Sequence, residues 1–135
     1  MLRNSERGFE GGRALWYPRG LDALMMEALA CRDGIQLARS KGVSKLLVET
    51  DCEMLAKLWE KRTFMRSHIA LILSEMLELS TSFTDFSLMY APRSCNRVAY
   101  LLCKQVTGDD RLGEWQIAPT CIDRLLAEDC NPDIQ

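Results

Sequence analysis

A chain of 135 residues, 47% of them apolar, has room for one sizeable core and is short for two independent domains. Lys and Arg number 17 against 19 Asp and Glu, so the net charge of -2 excludes recognition of nucleic acid by bulk charge alone. No run nears the roughly 18 apolar residues of a membrane helix, and no apolar segment follows the polar start from Met1 to Gly8, which points to an intracellular protein with no membrane contact, nuclear and cytoplasmic sites being equally open.

Residues 1–12 are polar, with Gly8, Gly11 and Gly12 close together, and read as a flexible leader; one glycine pair is too little for a phosphate loop. Arg13 to Tyr17 reads as a short strand ending at Pro18. From Leu21 to Lys41, Leu24, Ala28, Cys31, Ile35 and Ala38 recur at three- and four-residue intervals, which predicts a helix with Gly42 as its terminator. The run Leu46-Leu47-Val48 predicts a strand covered on both faces.

Thr50 and Glu53 have the capping-box spacing, so a helix is expected next, with Leu55, Leu58 and Trp59 on its apolar side. A further helix is expected from about Ser67 to Ser80, with His68 inside it, and a strand from Phe83 to Tyr90 that Pro92 ends. Cys95 to Val106 has helical spacing again, a linker follows, and Ile122, Leu125, Leu126 and Cys130 predict a last helix folded back on the body. The middle of this order is a strand-helix-strand unit, which implies two parallel strands.

Charge is uneven along the chain: residues 1–108 hold 15 basic against 12 acidic side chains, and 109–135 hold 2 against 7. The six cysteines (Cys31, Cys52, Cys95, Cys103, Cys121, Cys130) form no Cys-x-x-Cys pair, which argues against zinc, and several of them, beside leucines and alanines in helical patterns, read as reduced, small buried hydrophobes. The lone histidine, with no nucleophile motif nearby, argues against a serine or cysteine hydrolase.

Side chains at the carboxyl ends of parallel strands converge with the following helix starts, and Asp51 occupies such a place. It either favours the helix N-terminus by its charge or ligates a divalent metal. Glu27, on the first long helix, is either a solvated helix charge or the second metal donor. Arg93, Asn96 and Arg97 flank the last strand-to-helix turn and either cap and solvate it or contact phosphate. Trp16, Trp59 and Trp115 are apart in sequence and read as core residues, not as a stacking platform for bases.

Three ordered stretches, Glu27-Ala28-Leu29-Ala30-Cys31-Arg32-Asp33-Gly34, Val48-Glu49-Thr50-Asp51-Cys52 and Ala91-Pro92-Arg93-Ser94-Cys95-Asn96-Arg97-Val98-Ala99, resemble the ribonuclease H family, in particular the reverse-transcriptase-like branch abundant in plant genomes. The resemblance covers roughly residues 13–107. It implies an α/β domain of ribonuclease H-like fold, incomplete in its first strands, with residues 108–135 as a linker and a helix packed on it. The implied activity is hydrolysis of the RNA strand of an RNA-DNA hybrid by two magnesium or manganese ions, which four acidic residues hold about 3.5–4 Å apart.

Of those four, Glu27 matches the helix glutamate and Asp51 the strand-end aspartate, and these two are the catalytic and metal-ligating candidates. No residue in 1–20 matches the first-strand aspartate, Asp22 belongs to a turn or helix start, and Tyr100 stands where the last aspartate is expected. A phenol is neutral at pH 7 and a poor magnesium ligand. Impaired cleavage is therefore expected, with a non-enzymatic nucleic-acid- or protein-binding module, or a decayed transposable-element fragment, as the alternatives. In the family the first strand lies between the hairpin and the parallel pair, so its absence leaves an edge of Leu46 to Val48 open and predicts poor solubility, self-association or a strand-donating protein partner.

Overall fold

The computed structural model describes residues 1–18, 21–61, 67–109 and 111–128. The elements run β1 (Leu2–Arg3), β2 (Phe9–Leu15), α1 (Ala23–Ser40), β3 (Lys45–Thr50), α2 (Glu53–Lys61), α3 (Ala70–Ser80), β4 (Asp85–Tyr90), α4 (Arg97–Cys103), β5 (Leu112–Trp115) and α5 (Asp123–Glu128), with 3-10 turns at Arg93–Cys95 and Thr120–Ile122. They form two compact units, Pro18–Ala91 and Met1–Tyr17 with Pro92–Gln135, where the sequence suggests one domain over 13–107.

In the unit of residues 18–91, Asp22 starts α1: its carboxylate accepts the Met25 N–H at 2.8 Å, as an N-cap does. Ala28, Cys31, Ile35 and Ala38 are buried along one face, as their spacing predicts. Gly42, at φ 71°, takes the left-handed conformation that ends the helix and turns the chain into β3. β3 and β4 pair in parallel, Lys45 to Thr50 against Asp85 to Tyr90, which is the expected strand-helix-strand unit. Leu73 and Met76 of α3, with Leu55 and Trp59 of α2, complete the core, and Trp59 and Phe86 rings lie 5.6 Å apart.

Several expectations give way here. Burial alternates along β3, and Leu47 is 52% exposed, so one face of the strand is covered and not both. An apolar triplet cannot reveal this, because only the neighbours of a strand decide which face meets water. The capping box does not form: Thr50 is still strand, its hydroxyl accepts the Cys52 N–H at 3.2 Å, and Glu53 pairs instead with Lys57 at 3.1 Å. His68 precedes α3 instead of lying within it.

The other unit contains what reads as a leader. β1 and β2 pair antiparallel (Leu2 with Gly11, Arg3 with Phe9), and β2 pairs antiparallel with β5, Gly12 to Leu15 against Trp115 to Leu112. Glycine serves close packing here, not flexibility: a Cβ on Gly12 would lie 3.1 Å from the Leu102 side chain. β5 falls where a linker is expected. Val98, Leu102 and Ile122 form the core of this unit, with Trp115, Leu125 and Leu126 packed against it. Cys130 lies outside the described residues. Cys31, Cys52, Cys103 and Cys121 are free, but Cys95 is disulfide-bonded where a thiol is expected, and Cys103 and Cys121 are exposed instead of buried. No described helix is long and apolar enough to cross a membrane.

Candidate functional site

The carboxyl end of β3 is fixed from two sides. The Thr50 carbonyl accepts the Ala91 N–H at 2.8 Å, which holds the end of β4 beside it, and Thr50 itself is only 2% exposed. Asp51 follows in a bend and is half-buried.

Glu27 is half-buried on α1, one turn before Cys31. Strand and helix rise differ, so unequal numbers of residues span similar lengths on the two elements. From Lys45 to Asp51 the strand advances about 20 Å, while from Lys41 back to Glu27 the helix covers about 21 Å. The buried Cys31 thiol lies beside Thr50, the residue before Asp51, and feels the charge of Glu27 one turn earlier on its own helix. Burial, then Glu27, pushes that thiol up to about 12, so it stays protonated and inert as a nucleophile. The two candidate carboxylates thus flank the Cys31 and Thr50 neighbourhood in sequence, Glu27 one turn before Cys31 and Asp51 next to Thr50.

The donor set does not fit a pair of divalent ions. Among the described residues no three His, Cys, Asp or Glu side chains form a group that could hold a metal. Asp33, one buried acid of α1, is bound to Arg32 at 3.0 Å. Tyr100 is 56% exposed on α4, with the Lys104 ammonium 4.6 Å from its ring centre. A ring faced by a cation supplies no carboxylate oxygen.

Arg93, Asn96 and Arg97 lie in the other unit, at the entry to α4. Arg93 and Arg97 are exposed, and Asn96 makes no side-chain cap bond. Arg97 approaches Glu128 at 3.9 Å, both groups largely solvated, a weak pairing that leaves the guanidinium accessible. The predicted residues thus fall into two sets, an acidic pair in residues 18–91 and a basic turn in the other unit.

One pairing escapes the sequence reading. His68 Nε2 lies 2.7 Å from Asp22 Oδ2, both exposed, while the other oxygen of Asp22 caps α1. The Met25 N–H first, and His68 to a lesser degree, hold the Asp22 carboxyl below its ordinary value of 3.8. The Asp22 cap was legible as an acid three residues before Met25; nothing local could place His68 beside it.

A parallel strand pair, β3 and β4, joined through α2 and α3 and preceded by α1, is the architecture of a ribonuclease H-like α/β domain. The family described as reverse transcriptase-like matches residues 1–106, and the chain belongs to that family. The match includes the β1–β2 hairpin. No curated protein and no solved structure matches the chain.

Proposed function

We propose that this protein is a nucleic-acid-binding ribonuclease H-like domain whose cleavage of RNA-DNA hybrids is impaired. Ribonuclease H-like domains of this kind bind nucleic acid and in general use divalent metals. The observation that carries the reading is the short donor set: Glu27 and Asp51 match two of the family's acids, Tyr100 stands at the sequence position where a further aspartate is expected, and no three acids, histidines or cysteines among the described residues form a metal-holding group. Two carboxylates can hold one hydrated magnesium or manganese ion weakly, whereas the clamp on attacking and leaving oxygens needs ligands that bridge two. Exposed Arg93 and Arg97 supply charge suited to a phosphate backbone.

A labelled RNA-DNA hybrid with magnesium or manganese tests both parts. The expected result is a complex whose affinity falls as salt rises, with no release of fragments. Replacing Arg93 and Arg97 together by Ala should weaken the complex and reduce the salt slope by up to about two. Fragments released by the wild type and abolished by Asp51→Asn would overturn the impairment. Absence of any complex at low salt would overturn the nucleic-acid role.

A further inference from the structure

We infer that the exposed face of α4, formed by Arg97, Tyr100 and Lys104, seats single-stranded nucleic acid, with one base stacked on the Tyr100 ring and the flanking phosphates on the two cations. The inference rests on the nucleic-acid role proposed above and names the kind of strand that this helix selects. Val98 and Leu102 are buried in the core of their unit, which fixes the rotation of α4. At about 100° per residue, Arg97, Tyr100 and Lys104 then fall within about 60° of one another on the opposite side, and all three are exposed. The helix rises about 10 Å from Arg97 to Lys104, so one aromatic ring sits between two positive charges, as a base sits between the two phosphates of its strand.

Each group in the row has a counterpart in such a strand. Tyr100 is 56% exposed, and the Lys104 ammonium lies 4.6 Å from its ring centre. An exposed cation–π contact is weaker than a base stacked on an aromatic ring. A strand that offers a base and a phosphate together therefore takes the ring for the base and the ammonium for the phosphate. Glu128 approaches Arg97 at 3.9 Å but is held more closely by Arg124, at 2.9 Å, so the Arg97 guanidinium keeps its charge for a phosphate. Tyr100 also stands where the resemblance leads one to expect an aspartate. Without a metal, a carboxylate there would repel phosphate, and a neutral phenol does not.

Pairing decides which nucleic acid suits this face. Bases in a duplex are stacked on one another, so a hybrid meets the row through its phosphates alone, whereas an unpaired strand presents base faces to an aromatic ring. Every base has such a face, so the row selects for an unpaired strand and not for a sequence.

Fluorescence anisotropy of the full chain tests the inference with three probes: a short labelled DNA strand, the same strand made abasic, and the RNA-DNA hybrid. The wild type should bind the natural strand more tightly than the abasic one. Tyr100→Ala should weaken the natural strand about tenfold and leave the abasic strand and the hybrid unchanged, and Tyr100→Phe should keep the wild-type affinity. The ring is not buried, so circular dichroism of both variants should match the wild type. Lys104→Ala should weaken all three complexes and reduce the salt slope by about one, as the loss of a phosphate contact does. Hybrid binding together with a Tyr100→Ala variant that holds the natural strand as tightly as the wild type would overturn the stacking seat alone. Failure to bind strand or hybrid at low salt would overturn the nucleic-acid role and the seat with it.

Discussion

The unit of residues 18–91 and the unit made from the two chain ends reach a core by different routes. In the first, α1 with 18 residues and α3 with 11 bury Ile35, Leu73 and Met76 against elements that follow one another in sequence. In the second, β2 must find β5 from the far end of the chain, and α4 and α5 have only 7 and 6 residues. Helices so short are marginal alone, because nucleation costs more than a few bonds return. They persist by packing on Val98, Leu102 and Ile122. The lesson is that the acidic pair rests on locally closed structure, whereas the basic turn rests on long-range closure, which carries a larger entropy cost.

The largest effects should come from deleting core side chains in each unit. Leu73 and Ile122 are both at 0% exposure, so Leu73→Ala and Ile122→Ala should each cost about 2–5 kcal/mol locally. Hydrogen exchange separates the outcomes: Leu73→Ala should expose amides of α1 and α3, and Ile122→Ala those of β2, α4 and β5 while α1 stays protected. Equal loss of protection in α1 from Ile122→Ala would break the comparison.

A smaller effect sharpens it. The Cys31 thiol titrates at about 12 in the folded chain against an ordinary 9.0, so the folded state holds its proton after the unfolded state has released it. Stability from this group is complete below pH 9 and is lost as pH rises toward 12. Between pH 8.5 and 10.5 the wild type should lose about 2 kcal/mol more than Cys31→Ala in urea unfolding. Parallel curves for the two proteins would mean that Cys31 is not buried beside Thr50 and Glu27.

The fold was most legible where pattern and proximity agree. Leu24 to Ala38 announces α1, Gly42 its end, and Ile69 to Leu79 the buried side of α3, because helical period and burial coincide there. Residues 2–12 of the hairpin and β5 were not legible, since Gly11 and Gly12 read as loop while the missing side chain of Gly12 makes room for Leu102 and Trp115; the strand expected from Arg13 is present in part, as the end of β2. The capping box at Thr50 failed for a related reason: hydrogen bonds to β4 keep Thr50 in the strand, and a tertiary partner outweighs a local signal. Glu27 and Asp51 are candidates through the resemblance and not through periodicity. Arg93, Asn96 and Arg97 were legible as a basic turn, but not their assignment to a separate compact unit.

The account depends most on Glu27 and Asp51 being neighbours, and a double-mutant cycle on stability at low salt measures that directly. Two nearby like charges repel, so Glu27→Gln and Asp51→Asn should each relieve the same repulsion, and the double variant should differ from the sum by about 0.5 kcal/mol or more. Strict additivity would contradict the shared site.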